Sequence, residues 1–256
     1  MHDASPALLP PPPEPIADSI SLFLDFDGTL VELAERHDEV DASDALRALV
    51  GRLAETLPGR LAIVSGRTAD EIVAYLHAAD TQPPFAIAGS HGLERRWTDG
   101  RDEAPTRPDT LDAAIAALHA LADAHPSVVV EEKPFGATLH YRRAPDAGPA
   151  CDALTHELAA KYGLHLQRGK MVSEIRLPGA DKGDAVRLFM NEAPFKGSTP
   201  LFVGDDVTDE AGFAAVTELG GWGVQIGDKP VTAARYALPD VAAVHRWLGR
   251  IAGVPA

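Results

Sequence analysis

A single cysteine, Cys151, leaves the chain no means of closing an internal disulfide, which fits a reducing compartment such as the cytoplasm. Cys151 itself reads as a small residue on a helix. No apolar run is long enough to cross a bilayer and no self-similar period marks a solenoid, so membrane spans and repeat arrays are excluded. Basic residues are scarce as well: 23 Lys and Arg face 38 Asp and Glu, a formal net charge of -15. Affinity for phosphate backbones comes from clustered Lys and Arg, so an extended nucleic-acid surface is excluded. Any anionic ligand has to meet a local basic cluster.

What is present suits a globular protein. With 256 residues and 45% hydrophobic content, the chain can bury a core for one large domain or two modest ones. The stretch Pro6 to Pro15 is proline-rich and lacks the charged start and apolar segment of a secretory signal, so residues 1–17 read as a disordered leader.

Short apolar runs at Ser21 to Leu24, Leu61 to Val64, Phe85 to Ala88, Leu201 to Val203 and Gly223 to Ile226 read as strands buried on both faces. Helical patterns follow several of them, near Ser43 to Glu55, Ala69 to His77 and Thr208 to Glu218. That alternation predicts an α/β fold with a doubly wound parallel sheet, whose sites lie at the carboxyl ends of the strands. The middle of the chain differs. Val128 to Lys133, Ala137 to Arg142, Leu164 to Arg168 and Met171 to Leu177 read as half-buried strands, with amphipathic helices carrying Leu111, Ile115 and Leu118 and Leu154, Leu158 and Tyr162. Residues 103–178 are therefore expected to form an inserted α+β cap on a core built from 18–102 and 179–256.

Four motifs fall at strand-to-helix junctions. Asp25-Phe26-Asp27-Gly28-Thr29 ends the first strand, with both acids aimed the same way, Phe26 turned to the core and Gly28 supplying the turn. Ser65-Gly66-Arg67-Thr68 opens a helix, either as an anion site or as a simple cap. Lys182 lies in the first turn of a helix that Asp181 can cap, where a nearby anion would relieve its conflict with the helix dipole. Gly204-Asp205-Asp206-Val207-Thr208-Asp209-Glu210 concentrates four acids. Asp209 and Glu210 are explained as a favourable first helical turn, whereas Asp205 and Asp206 are not. A hard dication taking oxygens from Asp25, Asp205 and a backbone carbonyl would settle them. With no His or Cys cluster nearby, magnesium (Mg2+) is expected rather than zinc. In the cap, Thr138, His140 and Arg142 share one strand face and Lys170, Glu174 and Arg176 another, with Glu131 and Lys133 as further members. The resulting polar surface suits hydroxyl-rich ligands or is simply solvated.

Taken in order, these four motifs resemble the haloacid dehalogenase superfamily of phosphotransferases. The stretches Ser65-Gly66-Arg67, Glu132-Lys133 through His140-Tyr141-Arg142, Ser173-Glu174-Ile175-Arg176 and Gly204 to Glu210 are similar to those of trehalose-phosphate phosphatases. Two departures are Leu177 between Arg176 and Pro178, and the segment Pro134 to Ala137. The resemblance implies a HAD-like core with a specificity cap, and hydrolysis of trehalose 6-phosphate. In that reading Asp25 is nucleophile, Asp27 general acid and then base, Ser65 and Lys182 hold phosphate, and Asp25, Asp27, Asp205 and Asp206 hold magnesium. Arg67, Lys133, Arg142, Lys170 and Glu174 would bind substrate, with the cap closing over the disaccharide. A monomer acting on a small sugar phosphate is expected, with a trehalose-phosphate synthase as a separate chain. Rival readings are a phosphatase for sucrose 6-phosphate or a mannosyl phosphoglycerate, a phosphomutase, and a sugar-phosphate sensor without turnover.

Overall fold

The computed structural model describes residues 9–14, 17–33, 42–77, 82–229 and 231–253. The chain divides into two compact units, residues 1–103 with 180–256, and residues 104–179.

In the first unit the elements run β1 (Ile20–Leu24), α1 (Asp44–Thr56), β2 (Leu61–Val64), α2 (Ala69–Leu76), β3 (Ala86–Gly89), β4 (Glu94–Arg96) and β5 (Asp102–Glu103). The second unit holds α3 (Asp109–Ala124), β6 (Val129–Lys133), β7 (Gly136–His140), α4 (Gly148–Tyr162), β8 (His165–Gly169) and β9 (Val172–Arg176). The chain then returns to the first unit with α5 (Lys182–Met190), β10 (Thr199–Gly204), α6 (Glu210–Glu218), β11 (Trp222–Ile226), β12 (Tyr236–Leu238) and α7 (Val241–Ile251).

The first unit is built on one sheet of order β12-β11-β10-β1-β2-β3-β4-β5, parallel from β12 to β3 and antiparallel at β4 and β5. Its central strands are apolar on both faces because both faces are covered. Leu22, Leu24, Ile63, Ile87, Val203 and Val224 pack with α1, α2 and α7, and Phe23, Ala62, Val64, Ala86 and Phe202 pack with Phe189 and Phe213 of α5 and α6. β1 lies between β10 and β2, so the chain leaves it in one direction early and returns on its other side late. Such a switch point opens a crevice beyond the strand ends.

Part of the proline-rich leader is ordered, contrary to expectation. Residues 1–8 lie outside those described, but the Pro10 carbonyl accepts from Ala237 N–H (3.0 Å) and the Pro13 carbonyl from Trp247 Nε1 (3.1 Å). Glu14 pairs with Arg250 at 2.6 Å. Proline lacks a backbone donor but keeps its carbonyl, and here those carbonyls serve as acceptors for core groups.

The second unit is a four-stranded antiparallel sheet, β6-β7-β9-β8. Register places Glu131, Thr138, Glu174 and Gln167 in one cross-strand row, and Glu132, Ala137, Ile175 and Leu166 in the neighbouring row. Alternation puts these rows on opposite faces. Leu139 and Ile175 are buried, as are Leu111, Ile115 and Leu118 of α3 and Leu158 of α4. A hydrogen bond of 2.8 Å between Thr155 and Ser173 ties α4 to β9. Among the described residues no helix is long and apolar enough to cross a membrane.

Candidate active site

Asp25 follows β1 at the switch point. Its amide donates to Val203 O (2.9 Å), extending the β1–β10 ladder by one residue and fixing the carboxylate beyond the strand ends. Phe26 turns into the core, and Gly28, at φ 75, lets the chain fold back so that its amide donates to Val31 O at 2.8 Å. A Cβ on Gly28 would lie 2.4 Å from the Asp205 carboxylate, so glycine is needed both for its dihedral and for that approach.

Lys182 enters the same crevice from the first turn of α5. Asp181 caps that helix in a reciprocal pair with Asp184. The Lys182 ammonium, 3% exposed, donates to Asp25 Oδ1 and Asp209 Oδ1, both at 2.7 Å. Two protein carboxylates therefore supply the anion that its place at the positive end of the helix demands. Asp209 was absent from the expected site. It is fully buried at the bottom of the crevice, and its second oxygen accepts from Asp206 N–H (2.8 Å). The local signal was present in the three-residue spacing from Asp206 to Asp209.

Asp206, by contrast, is exposed. Its backbone carbonyl accepts from the Asp209 backbone N–H at 3.1 Å, at the start of the 3-10 turn Val207–Asp209. The structure does not bring Asp206 into the acidic cluster: Asp25, Asp205 and Asp209 converge, each offering an oxygen within 4.8 Å of the others. These are hard donors suited to magnesium. Asp205 Oδ1 is buried with no hydrogen-bond partner among the described residues, an oxygen that a cation in the cluster would satisfy.

The charge balance points the same way. Burial, and then repulsion from Asp209, pushes the Asp25 carboxyl well up despite Lys182. Lys182 is held cationic by its two carboxylates against the cost of burial. Asp205 is pushed up to about 6 by burial and then by Asp209 and Asp206. Its folded value lies above its ordinary 3.8, so its contribution to stability is full below 3.8 and is lost as pH rises through about 6. Allowing for solvent screening, the metal-free protein is expected to lose about 1 kcal/mol or less from this group between pH 5 and pH 8. Magnesium, binding the ionised form, should raise the melting temperature more at pH 8 than at pH 5. Thermal unfolding in chelator and in magnesium checks this, and an equal increment at both pH values would count against the assignment.

Ser65 follows β2 and is 1% exposed; its Oγ accepts from Arg67 N–H (3.1 Å), and its hydroxyl donates to no acceptor among the described residues. The capping role belongs to Thr68, in a reciprocal pair with Glu71, which leaves Ser65 available to an anion. Nearby, Ser90 and His91 adopt φ 50 and 59, and the His91 amide donates to Ser65 O at 2.9 Å. No motif in the sequence points to this loop. A Cβ on Gly66 would meet the His91 ring at 2.7 Å, so the ring packs over the Ser65–Gly66 turn.

Arg67 was expected to touch substrate. The structure gives its guanidinium to Asp27 instead, Nε to Oδ2 at 2.7 Å and Nη2 to Oδ1 at 2.6 Å.

In the second unit, Glu174 accepts from Lys133 Nζ (3.2 Å) and Thr138 Oγ1 (3.1 Å), and Glu131 lies 2.7 Å from His140 Nε2. Arg142 and Lys170 fall beyond the strand ends and are exposed. The Tyr141 amide and Met171 carbonyl beside them are joined at 3.1 Å, so both belong to one end of the sheet.

A carboxylate at the end of the central parallel strand, neutralised by a lysine from a later helix and flanked by acids after the adjacent strand, defines a phosphatase of the haloacid dehalogenase class. A haloacid dehalogenase-like hydrolase from Bacteroides thetaiotaomicron shares the fold, with a TM-score of 0.64, 17% identity and coverage of 91% of this chain and 99% of that one. The crystal structure of a trehalose-6-phosphate phosphatase related protein matches with a TM-score of 0.74 and 25% identity, covering 92% and 97%. The trehalose-phosphatase family model matches residues 23–241. Trehalose-6-phosphate phosphatase of Escherichia coli (strain K12) is 39% identical over 231 residues, 90% of this chain and 85% of its own. The chain belongs to the trehalose-phosphatase family.

Proposed function

We propose that the protein is a magnesium-dependent phosphatase that hydrolyses trehalose 6-phosphate to trehalose and phosphate through an aspartyl-phosphate on Asp25. The observation that carries this is the state of the Asp25 carboxylate. Lys182 holds Oδ1 at 2.7 Å, and the Thr29 hydroxyl reaches Oδ2 at the long distance of 3.5 Å. Oδ2 is the oxygen left to attack phosphorus.

As the Asp25 Oδ2–phosphorus bond forms, the bond from phosphorus to the sugar oxygen breaks, and Asp27 gives that oxygen its proton. Asp27 then takes a proton from water as the water attacks phosphorus, releasing phosphate and restoring Asp25. The Ser65 hydroxyl and the third N–H of the Lys182 ammonium donate to phosphate oxygens. Asp25, Asp205 and Asp209, with the Asp27 carbonyl, would hold magnesium, which supplies positive charge against the repulsion between carboxylates and phosphate.

For the sugar, the reading relies on the second unit's polar face. Lys133 and Glu174, with Arg142 and Lys170 at the sheet end, offer donors and an acceptor to hydroxyl groups. Support comes from the relatives, which act on trehalose phosphate by name.

The test is phosphate release from trehalose 6-phosphate beside sucrose 6-phosphate and glucose 6-phosphate, with and without magnesium. Strong preference for the trehalose ester is expected. Glu174→Ala should lower kcat/KM on it about 10- to 100-fold, and far less on p-nitrophenyl phosphate. Activity confined to another ester would keep the chemistry and overturn the sugar assignment; binding without release would favour a sensor.

A further inference from the structure

We propose that Arg67 is a positioning residue that acts on the reaction through Asp27 and is not a ligand of the substrate. The inference rests on the reading of Asp27 as the group that protonates the departing sugar oxygen.

The two side chains meet in a parallel fork, with both Asp27 oxygens accepting from one guanidinium at 2.7 and 2.6 Å. A fork of this kind fixes the plane of the carboxylate, which a single donor such as lysine does not. The guanidinium is fixed in turn. Its carbon lies 5.5 Å from the Phe26 ring centroid and 5.0 Å from that of Tyr75, and its Nη1 donates to Tyr75 Oη at 3.2 Å. Phe26 and Tyr75 stack on each other with centroids 5.4 Å apart. The Arg67 side chain is 1% exposed and that of Asp27 31% exposed, so the arginine lies behind the acid while the acid faces the open crevice.

The fork sets the geometry of the transfer, with the proton that Asp27 donates taken up from solvent beforehand. A general acid has to bring one oxygen within hydrogen-bonding reach of the leaving oxygen, and a short side chain free to rotate spends little time there. The fork uses one lone pair on each Asp27 oxygen and leaves the others for the substrate and water. It also joins the turn after β1 to the turn after β2, so the acid is oriented relative to Ser65, two residues before Arg67. A buried guanidinium packed against two rings would have to abandon these contacts to reach phosphate, whereas the Ser65 hydroxyl and Lys182 are already available.

The leaving group separates this role from phosphate binding. A sugar alkoxide needs a proton as it departs, and p-nitrophenolate does not. The experiment compares the full-length protein with Arg67→Lys, Asp27→Asn and the double variant, in magnesium, on trehalose 6-phosphate and p-nitrophenyl phosphate. Arg67→Gln is a second replacement, and circular dichroism confirms folding of each. Arg67→Lys is expected to lower kcat on the sugar ester about 100-fold with little change in KM, and to lower kcat on p-nitrophenyl phosphate less than about 10-fold. On the Asp27→Asn background it should cost less than about 2-fold further, because the group it orients is gone.

A raised KM on both esters, or a full additional loss on the Asp27→Asn background, would overturn the proposal and return Arg67 to phosphate binding. Equal losses on both esters with KM unchanged would also overturn it, as a purely structural role predicts. If Asp27→Asn itself fails to discriminate between the esters, the acid assignment falls first and takes this inference with it.

Discussion

Asp25→Asn is expected to abolish phosphate release, with kcat falling by at least about 10⁴-fold, while the protein stays folded. The substitution is nearly isosteric. The asparagine amide oxygen can still accept from Lys182, so the hydrogen bond at Oδ1 has a replacement, but neither amide atom serves as a nucleophile toward phosphorus. The electrostatic consequence is less obvious. Asp25, Asp205 and Asp209 share one crevice with Lys182, and burial with mutual repulsion already pushes the Asp25 carboxyl upward. Removing one acid lowers the excess negative charge that the metal-free protein has to bear. Its melting temperature in chelator should therefore be equal to or higher than that of the parent, while the increment from magnesium shrinks. Phosphate assay with thermal unfolding in both conditions tests the pair of effects. Residual turnover above about a hundredth of the parent would show that another group attacks phosphorus.

How much of this could be read in advance depends on the range over which each cause acts. Leu22 to Leu24 and Leu61 to Val64 are legible as strands because a sheet covered on both faces needs continuous apolar runs, and their alternate residues enter opposite cores. Asp25 and Lys182 are legible because each sits at a junction between strand and helix. The partner of Lys182 was hidden, since Asp209 has a sufficient local explanation as a first-turn acid. Its burial comes from the close packing of α5 on α6, where a Cβ on Gly183 would lie 2.4 Å from Ala211 O. The same limit applies to Arg67, whose long side chain reaches an acid 40 positions earlier. In the second unit, alternation revealed the Thr138 and Glu174 face, but β7 stops at His140, so Arg142 leaves the pattern that seemed to include it. The leader shows the limit of composition. Proline content argued for disorder, yet two of its carbonyls meet Ala237 and Trp247, more than two hundred residues away.

Lys182→Met should combine the largest loss of stability with a loss of turnover. The replacement preserves much of the side-chain length and removes the cation that hydrogen-bonds Asp25 and Asp209, leaving two buried carboxylates facing each other with Asp205 beside them. Breaking a buried pair from one side costs about 3–5 kcal/mol, because the remaining charge is neither solvated nor paired. In a chain of this size that corresponds to a fall of about 10 °C in melting temperature at pH 8 in chelator. The pH dependence follows from the direction of the acid shifts. With the lysine gone, the Asp25 carboxyl is pushed further above its unfolded value, so the stability it contributes is present at low pH and lost as pH rises. The deficit relative to the parent should therefore narrow toward pH 5. Magnesium should recover part of it at pH 8, since it supplies positive charge to the same three carboxylates. Phosphate release stays low even then, because the ammonium that orients Asp25 and donates to the phosphate is missing. A melting temperature within about 2 °C of the parent in chelator at pH 8, or a deficit independent of pH, would show that Lys182 is not the charge on which the buried acids depend.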